Sequence, residues 1–201
     1  MVAEPRRWTV EEYLWLERTS EVKHEFVDGI VYAQAGGTRA HSRIAINAGV
    51  LLDEALADTP CRVFNSDMKI RITPRLYRYP DLAVSCHPAD TSIEGEDLDY
   101  ISFPTVVIEV LSDSTDGADR TEKFDEYRTI TTLREYVLVE SMRKAVHVHR
   151  HAETGTWPTV TYLAGQDIIL ESLDVRVPVD ALYRKVLLPD NSGDGGTDAR
   201  Q

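Results

Sequence analysis

Three stretches of the 201-residue chain predict an α/β domain. Val106, Val107, Ile108, Glu109, Val110 and Leu111 follow Pro104 and precede a Ser-Asp-Ser-Thr cluster, an apolar run of the length of a buried central strand. Asp28-Gly29 joins two strand-like runs, His24–Val27 and Ile30–Ala33, and an Asp-Gly pair in that setting predicts a hairpin. From Arg39 or His41 to about Ala57, Ile44, Val50, Leu51, Leu52 and Leu56 supply an apolar stripe at helical spacing.

The remaining elements follow in chain order. Residues 1–7 read as a flexible N-terminus. Thr9-Val10-Glu11-Glu12 is a capping box that opens a short helix over Val10 to Glu17. Thr59-Pro60 stops the long helix, and Arg62–Phe64 then reads as strand. Met68, Ile70 and Ile72 alternate with Lys69 and Arg71, which predicts a strand with one wet face. Asp81–Val84 is a further short strand, and residues 87–100 are polar and acidic, as expected of a mobile loop. Beyond the central strand, a helix is expected over 118–130, an apolar strand over Glu135–Val139 and an alternating strand over Lys144–Arg150. Tyr162–Leu173 adds short strand segments, and Val179–Val186 a closing turn of helix. The domain so defined runs over 8–187, and residues 188–201, rich in Gly, Asp and Ser, read as a disordered tail.

Composition limits the function classes. At 42% hydrophobic and 28% charged residues the chain is globular in type. No apolar run reaches the roughly 18 residues that span a bilayer, and MVAEPRRW lacks an apolar signal segment, so neither membrane insertion nor export is expected. Two cysteines, Cys61 and Cys86, make no disulfide framework and fit a reducing cytoplasm. The net charge of −12 opposes unassisted binding to nucleic acid, although a local basic patch can exist within an acidic whole. Gly-rich phosphate loops, HExxH, GxSxG and CxxC motifs do not occur.

What remains is a set of acidic residues near a lysine. Glu109 lies inside the apolar run, where a carboxylate is costly unless cations or donors compensate it. Asp81 opens another short strand, and if the two strands are sheet neighbours their carboxylates converge; two carboxylates suffice for Mg²⁺. By itself a Pro-Asp pair more often marks a turn. Lys123 shares a helix face with Arg120 and Tyr127. Alone it would be a solvated charge; facing a carboxylate-bound metal it would stabilise phosphate charge or hold water, with Arg120 reaching a phosphate one turn earlier. Glu25 is either an exposed strand residue or a third acid of the site. His41 is either a partly exposed helix-start residue or a neutral imidazole near a bound anion, favoured there by the helix dipole. His147, His149 and His151 share a strand face, and a solvated stripe there is commoner than a zinc site.

Pro80-Asp81 followed by Ile108-Glu109-Val110-Leu111 resembles the PD-(D/E)xK signature, with Leu111 standing where the lysine is expected and Lys123 placed on the next helix. The wider set comprises His24-Glu25-Phe26-Val27-Asp28-Gly29, His41, Tyr79-Pro80-Asp81, Val107–Ser112, Lys123-Phe124-Asp125-Glu126-Tyr127 and Glu135–Val139. Together these resemble the Uma-two family of restriction-endonuclease-like proteins over roughly residues 8–186. The resemblance implies a mixed central sheet flanked by helices, with the N-terminal hairpin as an addition. It further implies that Asp81 and Glu109 ligate Mg²⁺ or Mn²⁺ with the backbone carbonyl of Val110. Lys123 would orient and activate water, and Glu25 would bind a second ion or position the first. The expected reaction is in-line attack of water on a DNA phosphodiester, with His41 and Arg120 as substrate contacts. A homodimer is expected of an enzyme that cuts both strands. Two alternatives are a catalytically silent oligomeric module of the same fold and a metal-dependent hydrolase of small phosphorylated substrates.

Overall fold

The computed structural model describes residues 6–34, 36–92, 99–111 and 118–189, with backbone alone at 118–120. The elements are α1 (Val10–Thr19), β1 (His24–Val27), β2 (Ile30–Ala33), α2 (Arg39–Ala55), β3 (Arg62–Asn65), β4 (Lys69–Thr73), β5 (Leu76–Arg78) and β6 (Leu82–Ser85). They continue with α3 (Pro88–Thr91), β7 (Tyr100–Ile101), β8 (Val106–Leu111), α4 (Ala118–Tyr127), β9 (Glu135–Glu140), β10 (Ala145–Arg150), β11 (Thr159–Leu163), β12 (Asp167–Leu170), β13 (Val175–Pro178) and α5 (Val179–Leu182).

Local signals set most starts and stops. Thr9 and Glu12 form the expected reciprocal capping box at α1. Asp28 and Gly29 both adopt positive φ, which the tight turn between β1 and β2 requires. Thr38 caps α2 by accepting from the His41 amide.

The central six-stranded sheet has the order β11-β10-β9-β8-β6-β3. β8 and β9 run parallel, joined through α4, while the other pairs are antiparallel, so the sheet is mixed as expected. Strand alternation splits the core into two layers. Val106, Ile108 and Val110 pack with Ile44, Ala48 and Leu52 of α2 and with β12, β13 and α5. Val107 and Leu111 face the other way, onto Tyr127, Ile130, Leu133, Tyr136 and Leu138. By the same alternation Glu109 belongs to the α4 side. The hairpin is part of a second sheet, β2-β1-β5-β4-β7, over which Tyr13 of α1 stacks with Phe26 and Tyr77.

Several expectations are corrected. Lys69 is buried on β4 rather than wet: its ammonium lies 3.3 Å from Asp99 and above the Tyr79 ring, partners that alternation within one strand does not reveal. Val50 belongs to the exposed face of α2, together with Ile46. Residues 87–100 are not loop throughout: Pro88–Thr91 form α3, whose Asp90 accepts from Ser85, Ser102 and Phe103, and β7 begins at Tyr100, while residues 93–98 lie outside the described residues. Cys61 and Cys86 form a disulfide, because the Arg62–Ser85 pairing of β3 with β6, extended by one residue, sets them opposite each other. The expected tail from Asp190 onward lies outside the described residues. Among the described residues no helix is long and apolar enough to cross a membrane.

Candidate active site

The site forms where β6, β8, β5, α2 and α4 meet. Leu82 pairs with Ile108, so continuing that antiparallel register by one residue sets Asp81 opposite Glu109. The Val110 amide donates to Asp81 Oδ2 at 2.7 Å, and the Asp81 amide lies 3.4 Å from Glu109 Oε2. The two carboxylates expected to converge do so, each engaging the other's strand.

Glu109 is 8% exposed, yet none of its contacts among the described residues is short. Beyond the Asp81 amide it has Tyr127 Oη at 3.5 Å and Lys123 Nζ at 3.8 Å. Good hydrogen bonds to carboxylates are shorter than any of these. A buried carboxylate so thinly satisfied is a free-energy cost that calls for an explanation. Burial pushes its pKa up to about 7, with the Asp81 and Glu25 charges adding to the rise and Lys123 opposing it.

Lys123 reaches the site from α4, its ammonium 3.6 Å from Glu25 Oε1. The Glu109 charge raises its pKa against the effect of burial, so it is an ammonium and a donor. Glu25 is not the exposed strand residue that its sequence position allows. It is buried on β1, accepting from Arg78 Nη1 at 2.7 Å and from the Tyr79 amide at 3.3 Å. Arg78 also binds Glu126 bidentately, both bonds at 2.8 Å. An alternating chain of charge therefore runs Glu109, Lys123, Glu25, Arg78, Glu126, and two of its members, Lys123 and Glu126 on one helix face, secure α4.

His41 reaches in from the first turn of α2, its Nε2 3.0 Å from Asp81 Oδ2. That hydrogen bond raises the imidazole pKa against the effect of burial. Gly37 leaves the ring room: a Cβ there would lie 2.7 Å from His41 Nδ1. Arg120 stands on α4 as expected, but its side chain lies outside the described residues. The stripe of His147, His149 and His151 is engaged elsewhere. His147 contacts Glu140 and Thr161, His149 packs against Phe124, and His151 against Trp157.

Arg78 and Glu126 are the site residues that sequence reasoning missed, while Tyr127, expected on the Lys123 face of the helix, adds its hydroxyl 3.5 Å from Glu109. An arginine immediately before Tyr-Pro-Asp and a glutamate three residues after Lys123 were the available signals. Among the described residues, four carboxylates (Glu25, Asp81, Glu109 and Glu126) face two permanent cations (Arg78 and Lys123), an excess of two negative charges. No group of three or more metal-ligating side chains converges among the described residues. The donor set that fits a cation is thus the Asp81–Glu109 pair, and a hard, oxygen-seeking divalent ion needs no more than two carboxylates beside water and substrate.

A mixed sheet carrying paired acids on neighbouring strands, with a lysine brought in by the next helix, defines a restriction-endonuclease-like fold of the nuclease type. The same fold is seen in a crystallised protein of Anabaena variabilis described as a "putative nuclease belonging to DUF820", with a TM-score of 0.73 and 17% identity, covering 89% of this chain and 99% of that one. The chain belongs to the Uma2 family, described as "Putative restriction endonuclease", whose pattern it matches over residues 10–180. It is similar to two uncharacterized proteins of Synechocystis sp.: slr1290, 35% identical over 87% of this chain and 90% of that protein, and sll1609, 31% identical over 85% and 96%.

Proposed function

We propose that this chain is a Mg²⁺- or Mn²⁺-dependent endonuclease that hydrolyses DNA phosphodiester bonds, acting as a homodimer. The observation that carries this reading is Glu109: a buried carboxylate that, among the described residues, has no short partner, faces Asp81 and belongs to a cluster with two negative charges in excess. Asp81 and Glu109, with the Val110 carbonyl, would hold the cation. When bound there, a divalent cation lowers the pKa of water and stabilises charge developing on the phosphate.

The chain's own residues supply the rest. The Lys123 ammonium, more than 3.5 Å from either carboxylate, retains donors for the attacking water or a phosphate oxygen. Glu25, held by Arg78, keeps that ammonium charged and positioned, which suits it better to placing Lys123 than to binding a second ion. His41 fixes the rotamer of Asp81 and borders the substrate path, while Arg120 is the candidate phosphate contact. With an overall charge of −12, affinity for DNA must come from this local region, and cleavage is expected to weaken steeply with salt.

Nicking of supercoiled plasmid at low salt with Mn²⁺ or Mg²⁺, wild type beside Asp81→Ala, tests the proposal. Cleavage by the wild type alone is the expected result. Equal cleavage by both proteins would remove the site, and no cleavage by the wild type would remove the activity.

A further inference from the structure

The outward face of α2 is not accounted for by anything within the chain. Arg39, Arg43, Ile46, Val50 and Asp53 recur at intervals of four and three, and Glu54 follows Val50 by four, so all six fall within an arc of about 100° of the helix circumference. All six are exposed; Ile46 retains 53% and Val50 45% of its accessible surface. None of the four charged residues has an ion-pair partner among the described residues. Their order also runs against the helix: the arginines lie toward its positive N-terminal end and the acids in its last turn, with no acid in the first turn and no base in the last. Local helix stability therefore does not explain them.

The stripe is complementary to itself. Laid antiparallel against a second copy about a two-fold axis level with Ala48, Ile46 meets Val50 of that copy, and Arg43 meets Asp53. Arg39 then lies toward the C-terminal turn that carries Glu54. Each helix would also place its N-terminal end beside the other's C-terminal end, cancelling the unfavourable dipole terms of both. Such self-matching is the mark of an isologous interface, with apolar contacts at the centre and charges outside them.

We propose that the exposed face of α2 is the surface through which two copies of this chain associate, as an antiparallel, two-fold helix pair. This deepens the dimeric part of the proposed reading, but its evidence is the α2 face alone. Because α2 also carries His41, whose imidazole contacts Asp81, the pairing would relate the two Asp81–Glu109 centres by the same two-fold axis.

Sedimentation velocity of the full chain, without DNA or metal, tests the surface separately from the chemistry. The wild type is expected to show a concentration-dependent dimer that weakens as salt screens its charges. Ile46→Lys is expected to weaken association at least about tenfold while leaving the circular dichroism unchanged, since the side chain is exposed. Arg43→Asp and Asp53→Arg are each expected to weaken it about tenfold, and mixing the two variants to restore it, because both cross-pairs then regain opposite charges. A wild type that is monomeric at every concentration, a dimer indifferent to Ile46→Lys, or a mixture that fails to restore association would each overturn the proposal. None of those results bears on plasmid nicking, which stands or falls on its own assay.

Discussion

Replacing Glu109 by Gln should make the metal-free protein more stable at neutral and alkaline pH. Its carboxylate is buried on the same face of β8 as Val107 and Leu111 and, among the described residues, lacks a short hydrogen bond. Its folded-state pKa lies at about 7 against an ordinary 4.5, burial being the main cause. A group whose pKa is raised on folding contributes fully below its unfolded pKa, and that contribution is lost as the pH rises through the folded value. The affected window is therefore pH 4.5 to 7, and stability falls as pH rises across it. At about 1.4 kcal/mol per pKa unit, the ionised form costs up to about 3 kcal/mol above pH 7. Gln remains a buried polar group and forgoes the attraction to Lys123, so a net gain of about 2 kcal/mol is expected. For a domain of this size that raises Tm by roughly 4–8 °C. Thermal unfolding of both proteins in EDTA, at pH 4.5 and pH 8, measures it. The gain should be present at pH 8 and absent at pH 4.5, and Mg²⁺ should narrow it by stabilising only the wild type. A variant less stable than wild type at pH 8, or equally shifted at both pH values, would refute the reasoning.

Other outcomes follow from the same contacts. Lys123→Ala should reduce the nicking rate by two or more orders of magnitude with metal affinity largely kept, as read by plasmid cleavage beside metal titration, since the amine serves charge and water rather than the ion. Arg78→Met should lower stability by about 3 kcal/mol in chemical denaturation, because the buried Glu25 and the half-buried Glu126 would be left without their shared guanidinium. Arg78→Lys should not restore the loss, lacking the bidentate fork. Gly37→Ala should reproduce the activity loss of His41→Ala, since the added methyl occupies the space of the imidazole. Dithiothreitol should lower stability by roughly 3 kcal/mol by opening a disulfide that closes a sequence separation of 25 residues, and Cys86→Ala should remove the sensitivity.

Legibility followed the range of the interactions. The capping box at α1 and the turn at Asp28-Gly29 depend on three or four consecutive residues, and both read directly from the chain. The Val106–Leu111 strand is equally plain, and the convergence of Asp81 with Glu109 depends on a single strand pairing. Failures came where a partner lay far along the chain. Lys69 reads as a wet residue of an alternating strand until Asp99 and Tyr79 arrive from elsewhere to cover it. Cys61 and Cys86 look unrelated until β3 pairs with β6. Val50 fits a helical apolar stripe by spacing alone, and only the packing of Ile44, Ala48 and Leu52 shows that the stripe stops short of it. Arg78 fell into the same gap: a guanidinium shared by β1 and α4 has no periodic signature on either.

Isothermal titration of Mn²⁺ into the metal-free wild type, Asp81→Asn and Glu109→Gln tests the account most directly, because everything rests on these two carboxylates holding a cation. Saturable binding to the wild type and its loss in both variants, with each variant still folded, is the expected result. Binding that persists in both variants, or none to the wild type in the presence or absence of a DNA duplex, would contradict it.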